Sequence, residues 1–393
     1  MPPAVSVDVV CLGESMVTFV PSRPGRLADV PSFARGIGGA ESNVACGLAR
    51  CGHSARWISR VGTDGFGDHL LTEIAAAGVD VSRVRRDPHR PTGIYFRTAG
   101  ERAVGQAPAR AVGQDPVARE HAAEERAAGE PLAEVVYYRA GSAAAAMSPA
   151  LMERDQLWSG RILHLTGITP ALSDGCLALT RELTTPAPGR PLVSFDVNYR
   201  LALWREEQPW EVRREGEHRR EGERHGPSVL LDLARGCDLV FVGEDEAEAA
   251  WGLRGADAIR AALPEPAVLV VKRGSAGATA YARGPGGADS VTAEPAPRVE
   301  VVAPVGAGDA FAAGFLSGTL RGLPVAERLR HGHLMAAAAL TVSGDLATPP
   351  SRERADRLVA LDAAAWGTLR VRPGWTNPAY AGPETVAVEV SNP

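Results

Sequence analysis

The chain has 393 residues, 45% of them hydrophobic, which is enough to bury a full core as one large domain or two. Its formal net charge of -5 and pI near 6.0 create no general attraction for nucleic acid or anionic lipid, so we expect neither nucleic-acid nor membrane partners. Five cysteines without metal-ligand spacing, together with an N-terminus that lacks a signal-peptide pattern, predict a cytoplasmic protein with free thiols.

Short apolar runs that predict strands recur along the chain, and several are followed by patterns of helical period. Most runs lack strict alternation, as expected for strands covered on both faces. We therefore predict an α/β fold with a doubly wound, mainly parallel sheet flanked by helices. The predicted strands are residues 7–12, 56–61, 161–165, 192–197, 238–242 and 267–272, and the clearest helices are 41–51 and 69–77.

One part of the chain departs from this alternation. Residues 15–35 and 91–98 have strand-like patterns without helices after them. They predict a small antiparallel β lid, drawn from about 15–35 and 90–140, over the C-terminal edge of the sheet. Ligands of open α/β sheets bind at that edge.

The domain predicted from these patterns covers residues 5–365, with a C-terminal tail over 366–393. Two low-complexity segments, 102–131 and 211–226, interrupt it. Neither contains enough large apolar residues to offset the entropy cost of ordering, so we interpret both as insertions. The functional alternative is an arm that binds a partner.

A short glycine motif, Gly306-Ala307-Gly308, stands between an apolar stretch and a helical pattern. Glycines before a helix let the backbone approach a ligand, and the free N–H groups of the first turn attract an anion such as phosphate. Asp309 follows within the same turn, where it is placed to take a proton from an attacking hydroxyl. The alternative is an ordinary tight turn with a helix-start carboxylate.

A second glycine pair, Gly38-Gly39, also precedes a helical pattern. Asn43 lies near the start of that helix, where its amide can bind a polyol hydroxyl. The alternative for Asn43 is a simple helix cap.

The two glycine motifs carry a family resemblance. GGAESNVACGLARCG, followed by VGTDGFGDHLLTEIAAAGVDVSRV (61–84), resembles the first signature of the ribokinase-like (PfkB) sugar kinases, and VVAPVGAGDAFAAGFL resembles the second. Both match in order and spacing, and the resemblance covers nearly all of residues 7–350. It implies a ribokinase-like fold and an enzyme that phosphorylates a sugar with ATP and Mg²⁺.

The resemblance also implies roles for individual residues. Asp309 would be the general base, and the amides of Gly306, Ala307 and Gly308 would form the anion hole for the transferred phosphoryl group. The loop after residues 267–272 resembles the nucleotide-side loop of the family. The residues implied on the ATP side are Asn198, Lys272, Gly274, Gly277, Gly306 and Gly308.

Three further stretches resemble the 2-keto-3-deoxygluconate kinases within this family, namely PTGIYFR, VVYYRAGSAAAAMSP and DVNYRLALW. By that resemblance the sugar acid would be held by Gly38, Gly39, Asn43, Tyr95, Tyr137, Arg139 and Arg200. The chemistry agrees, because a carboxylate suits guanidinium groups, for which a neutral ketose has no need. The alternative is that Arg139 and Arg200 form structural ion pairs.

Two positions depart from the family pattern. Many relatives have aspartate where this chain has Ala303, and in those relatives it helps to bind a monovalent cation, so we expect no such activation here. The magnesium-side motif falls at residues 243–246, where Gly243 replaces asparagine. Glu246 remains, which implies an indirect metal role.

Other functions stay open at this stage. A fructokinase or another sugar kinase of the same fold is the nearest alternative, and a catalytically inactive sugar-acid sensor is one from a different class. A nucleoside kinase is disfavoured, because Arg139 and Arg200 would have no role in binding its substrate. The exposed lid also predicts a homo-oligomer formed through it.

Overall fold

The computed structural model arranges the chain as a central sheet between two helical layers, with smaller sheets attached. The low-complexity segment 102–131, and all but the last residue of 211–226, lie outside the described residues. The residues that the structure describes are 6–23, 25–97, 135–204, 226–377 and 386–388.

Seventeen strands lie within the described residues. They are β1 (Val7–Leu12), β2 (Met16–Pro21), β3 (Phe33–Gly38), β4 (Ala55–Ile58), β5 (Arg60–Gly62), β6 (Arg85–Asp87), β7 (Ile94–Arg97), β8 (Val135–Tyr138), β9 (Gly160–Thr166), β10 (Leu192–Asp196), β11 (Leu239–Gly243), β12 (Val268–Lys272), β13 (Ala278–Arg283), β14 (Asp289–Glu294), β15 (Arg298–Val299), β16 (Leu369–Val371) and β17 (Val386–Val388). Each predicted strand has a counterpart among them, but the stretch predicted as one strand over 56–61 is divided between β4 of the central sheet and β5, which pairs with β6 in a separate sheet.

Eleven α-helices occur in the same part of the chain. They are α1 (Ala40–Arg50), α2 (Gly65–Ala76), α3 (Arg154–Leu157), α4 (Asp174–Thr184), α5 (Ser228–Arg235), α6 (Glu244–Trp251), α7 (Ala256–Ala262), α8 (Ala307–Leu320), α9 (Val325–Leu340), α10 (Arg352–Val359) and α11 (Ala363–Gly367).

The central sheet has eight strands in the order β14-β13-β12-β11-β10-β9-β1-β4, parallel except at the β12-β13-β14 edge. Successive side chains of β1 enter opposite cores. Val10 and Leu12 pack with helices α4 to α7, whereas Val9 and Cys11 pack with α1, α2, α8 and α9. Both faces are therefore covered, which explains why the strands are apolar without alternation. The predicted fold class is confirmed.

The parallel strands bring several turns to one edge of the sheet. β1 ends before Glu14, β10 before Asn198, and β12 at Lys272. Since parallel strands end at the same edge, these distant segments become neighbours there. The start of α8 lies at this edge as well, because Asp309 bonds to Asn43 and Gly308 faces Lys272.

The lid is a separate four-stranded sheet in the order β3-β2-β7-β8. The pairs β2-β3 and β7-β8 are antiparallel, as predicted. The central pair, β2-β7, is parallel, because the chain leaves the lid through α1 and α2 before it returns as β7. The predicted lid is confirmed, with this one parallel pair inside it.

The C-terminal segment begins as part of the packed structure. Trp366, Leu369 and Trp375 are fully buried in a third core with Leu334 of α9. β16 pairs with β15 and β17. The stretch set apart above as a tail, 366–393, therefore starts with residues that stabilise the domain, because two tryptophans are too large and apolar to be left in water.

Candidate active site

The glycine motif forms the turn that starts α8. Gly306 is the residue before the helix and has φ +74°, a conformation that favours glycine. A Cβ atom at Gly306 would lie 2.7 Å from the carbonyl oxygen of Asp345. Ala307 and Gly308 follow as the first helical residues, so their N–H groups have no partner within the helix and are available to an anion.

Asn43 and Asp309 are joined across the site. The Nδ2 of Asn43 donates a hydrogen bond of 2.9 Å to the Oδ2 of Asp309. Gly39, rather than Asn43, is the cap residue of α1. The alternative of Asn43 as a simple cap is therefore wrong, because its side chain reaches α8 instead of the N–H groups of its own helix.

The side-chain oxygen of Asn43 is available to accept a hydrogen bond from a ligand. Its Oδ1 is buried and has no hydrogen-bond partner among the residues that the structure describes. Asn43, Gly306 and Asp345 line a cavity of about 20 Å³, which is room for about one water-sized group. A buried acceptor beside the Asp309 carboxylate suits the hydroxyl of a substrate.

Tyr95 and Tyr137 come from adjacent lid strands, with ring centroids 5.4 Å apart. Tyr95 is buried, and its hydroxyl donates to Oδ2 of Asp345 over 2.9 Å. Arg97, two residues further along β7, forms an ion pair of 2.7 Å with Oδ1 of the same carboxylate. Asp345 was not predicted, because the loop that contains it matches no motif considered above.

Arg139 has a carboxylate partner inside the protein. Its Nη2 lies 2.5 Å from Oε2 of Glu14, a residue of the turn after β1 that the sequence analysis also missed. Glu14 further accepts a 2.7 Å hydrogen bond from Ser142. The guanidinium group of Arg139 also lies 5.6 Å from the ring centre of Tyr137. The Nε of Arg139 is buried and has no hydrogen-bond partner within the described ranges, so this arginine can still bind a ligand.

A second buried carboxyl group, Glu41, stands in the same polar cluster. Its Oε1 accepts hydrogen bonds of 2.8 Å from the hydroxyls of Thr166 and Thr169. Burial raises the pKa of Glu41 to about 7, although both threonines and the charge of Arg139 act to lower it. Glu41 is therefore partly protonated near neutral pH.

Arg200 lies on a different side of the site from Arg139. Its Nη1 is 3.8 Å from Oε1 of Glu246, and its side chain is 30% exposed. Oε2 of Glu246 accepts the N–H of Gly243 at the start of α6. The two arginines that were predicted to act together thus contact two different carboxylates, Glu14 and Glu246.

The predicted nucleotide side centres on Lys272 at the end of β12. Its Nζ lies 2.8 and 2.9 Å from the two carboxylate oxygens of Asp196. A Cβ atom at Gly308 would lie 3.6 Å from the same Nζ, so the ammonium group faces the first turn of α8. Burial alone would lower the pKa of Lys272, but Asp196, Glu246 and Asp309 together raise it above its usual value. Lys272 therefore stays charged beside the predicted anion hole.

Two further nucleotide-side features are conformational. Asn198 has φ +40°, and within the described part of the chain its buried Oδ1 has no hydrogen-bond partner. Non-glycine residues in this conformation concentrate at functional sites. Gly274 and Gly277, in the turn after β12, have φ +55° and +106°.

The carboxylates suit a magnesium ion that is held mainly by phosphate groups. Among the described residues, no group of three His, Cys, Asp or Glu side chains could hold a metal ion. In phosphoryl-transfer sites Mg²⁺ is bound by one or two carboxylates together with substrate phosphates. Asp196 and Glu246, both close enough to act on Lys272, fit that arrangement. The indirect metal role of Glu246 stays a prediction.

The chain matches the model of the pfkB family carbohydrate kinases over residues 7–129 and 223–352, and it belongs to this family. The resemblance seen in the two glycine motifs is thereby confirmed. In the described residues, no helix combines the length and apolar character needed to cross a bilayer.

The relatives include two enzymes of one activity. The 2-dehydro-3-deoxygluconokinase of Bacillus subtilis is 32% identical over 358 residues, which cover 89% of this chain and 94% of the relative. The enzyme of that name from Thermoproteus tenax is 29% identical and covers 91% and 96%. The crystal structure of a PfkB protein from Polaromonas sp. has a TM-score of 0.66 at 32% identity and covers 89% and 99%.

Proposed function

We propose that this carbohydrate kinase transfers the γ-phosphoryl group of ATP to 2-keto-3-deoxy-D-gluconate, giving its 6-phosphate. The observation that carries the proposal is the position of Asp309. It lies in the first turn of α8, bonded to Asn43 and close enough to Lys272 to raise its pKa. The choice of sugar acid is supported by the relatives from Bacillus subtilis and Thermoproteus tenax.

In the proposed reaction Asp309 accepts the proton of the sugar hydroxyl while that oxygen bonds to the γ-phosphorus. The bond from phosphorus to the bridging oxygen breaks, and ADP leaves. Asn43 orients the Asp309 carboxylate and offers its free Oδ1 to the substrate. The N–H groups of Ala307 and Gly308 and the ammonium group of Lys272 stabilise the negative charge of the transferred group. Magnesium, when bound, neutralises part of the phosphate charge.

The acid group of the substrate is assigned to Arg139 and Arg200. Both already contact carboxylates, Glu14 at 2.5 Å and Glu246 at 3.8 Å. The Arg200 pair is long and the arginine side chain is 30% exposed, so water screens the attraction between the two charges. Arg139 is held more firmly by its ion pair with Glu14 and would contribute the N–H of its Nε, with Tyr95 and Tyr137 beside it.

A coupled assay of ADP release tests this function. Sugar acids and neutral sugars are compared at equal concentration, and we expect 2-keto-3-deoxygluconate to give the highest kcat/KM. Asp309→Asn keeps the size and polarity of the side chain but removes the base. It should lower kcat by about 10² to 10⁴ while substrate still binds. A variant that keeps a tenth of wild-type turnover would contradict the role of Asp309.

The fructokinase alternative has one observation in its favour. The charge of Arg139 is already compensated by Glu14, so this arginine does not require a substrate carboxylate. Higher kcat/KM on fructose than on any sugar acid in the same assay would establish that alternative. Binding of the sugar acid without ADP release would indicate the inactive sensor instead.

Location and assembly are part of the proposal. All five cysteines are free, and four of them are buried, which suits a reducing cytoplasm. On the lid, the side chains of Val136 and Tyr138 are exposed, at 39% and 62%. Apolar groups of this size in water favour contact with a second copy of the chain, so we assign a homo-oligomer that forms through the lid.

A further inference from the structure

A buried ion pair ties the lid to the turn that starts α8. Arg97 is the last residue of β7, and Asp345 lies in the loop after α9. Their side chains are only 6% and 3% exposed, and Nη2 of Arg97 is 2.7 Å from Oδ1 of Asp345. Arg97 plays no part in the chemistry assigned above.

Asp345 contacts three segments of the site at once. Its Oδ2 accepts the hydroxyl of Tyr95, and its carbonyl oxygen lies against Gly306, leaving no room there for a Cβ atom. A Cβ atom at Gly38, where β3 ends, would lie 2.4 Å from Oδ2 of Asp345 and 2.5 Å from the hydroxyl of Tyr95. The position of this carboxylate therefore sets the distance between two lid strands and the predicted anion hole.

A carboxylate in such a buried position needs its counter-charge. The guanidinium group of Arg97 places a positive charge 2.7 Å from Oδ1 of Asp345, and removing it takes that charge away from a carboxylate that is only 3% exposed. Breaking a buried ion pair by removing one partner is strongly destabilising, because the remaining charge must move toward water. We expect the Asp345 carboxylate to reach water by a separation of the lid from the loop that contains it.

We propose that Arg97 is a positioning residue. It holds Asp345, and through Asp345 it holds the Tyr95 hydroxyl and the Gly306 turn at the separation that phosphoryl transfer requires. The kinetic part of this inference rests on the proposed kinase function. The structural part, that the Arg97–Asp345 ion pair is a tether between the lid and the loop after α9, does not depend on that function. It can be measured without any substrate.

The kinetic test compares Arg97→Gln with Arg260→Gln. Arg260 is a matched control, because it is buried in a bidentate ion pair with Asp289. It also donates to the carbonyl of Pro266, just before β12 begins, and so lies at the end of that strand opposite to Lys272. Arg97→Gln should lower kcat/KM for the sugar about 10- to 100-fold, as expected for a small displacement of reacting groups. The KM for ATP should change less than about twofold on the same grounds. Arg260→Gln should lower the melting temperature but leave both kinetic constants near wild type.

Two kinetic results would overturn the proposal. One is an Arg97→Gln enzyme with wild-type kcat/KM. The other is an equal loss of kcat/KM in the Arg260→Gln control when each variant is assayed the same number of degrees below its own melting temperature. If Arg97→Gln gives no soluble protein, the double change Arg97→Gln with Asp345→Asn removes the buried charge. It should recover the melting temperature but not kcat/KM, and full recovery of both would assign the pair to stability alone.

Amide hydrogen exchange separates this inference from the kinase assignment. Arg97→Gln should speed the exchange of the β7 amides about tenfold or more, since a local opening becomes easier, whereas Arg260→Gln should not. Unchanged β7 exchange overturns the tether whatever the activity. A wild-type enzyme that phosphorylates none of the sugars, combined with faster β7 exchange in Arg97→Gln, would reject the proposed function and keep the tether.

Discussion

Glu41→Gln should remove a pH dependence from the stability of this protein. The Glu41 side chain is fully buried, and Oε2 has no hydrogen-bond partner among the described residues. Burial is the main cause that raises its pKa from 4.5 to about 7. Glutamine keeps an oxygen that can accept from Thr166 and Thr169 but cannot ionise, so the variant isolates the charge.

The direction in which the free energy of unfolding changes with pH follows from the order in which the unfolded and the folded chain lose the proton of Glu41. Below about pH 4.5 the carboxyl group is protonated in both states and has no pH effect. As pH rises from there to about 7, the unfolded chain releases its proton first, so the free energy of unfolding falls. The pKa difference is about 2.5 pH units, and at 1.36 kcal/mol per unit the loss amounts to roughly 3 kcal/mol, reached above pH 7.

The assay is urea denaturation of both proteins at several pH values from 4.5 to 8. The stability of Glu41→Gln relative to wild type should increase by roughly 3 kcal/mol across this range. Glu300→Gln serves as a control, since the Glu300 side chain is 66% exposed and should show no such trend. A difference between Glu41→Gln and wild type that stays constant with pH would refute the reasoning.

The remaining predictions concern turnover. Gly306→Ala should lower kcat about tenfold or more in the ADP assay, because the new Cβ atom would meet the carbonyl of Asp345 and alanine disfavours φ +74°. Arg200→Gln should raise the KM for 2-keto-3-deoxygluconate about 10- to 100-fold and hardly change weak activity on fructose; equal losses would assign Arg200 to the nucleotide or the fold. With Ala303 in place of a carboxylate, magnesium should be required and potassium should stimulate little over choline; strong potassium activation would contradict this.

Local signals in the sequence were sufficient to predict the fold class and the two helix starts that carry the glycine motifs. Strands such as 161–165 and 192–197 can be recognised in the sequence because a strand buried on both faces is apolar throughout. The helices that follow Gly39 and Gly306 can be predicted because glycine and the helical period of apolar residues are local signals. Asp309 could be singled out for the same reason, since its chemistry depends on its distance from two neighbouring glycines.

The partners of the site residues depend on contacts between distant parts of the chain and could not be predicted. Arg139 could have bound a substrate or an internal carboxylate, and Glu14, 125 residues earlier in the chain, supplies one. Asp345 lies in a loop without a motif, yet it meets Tyr95 and Arg97 about 250 residues away. Such ion pairs leave no periodic trace, because each forms where the ends of separate strands and loops converge at one edge of the folded sheet.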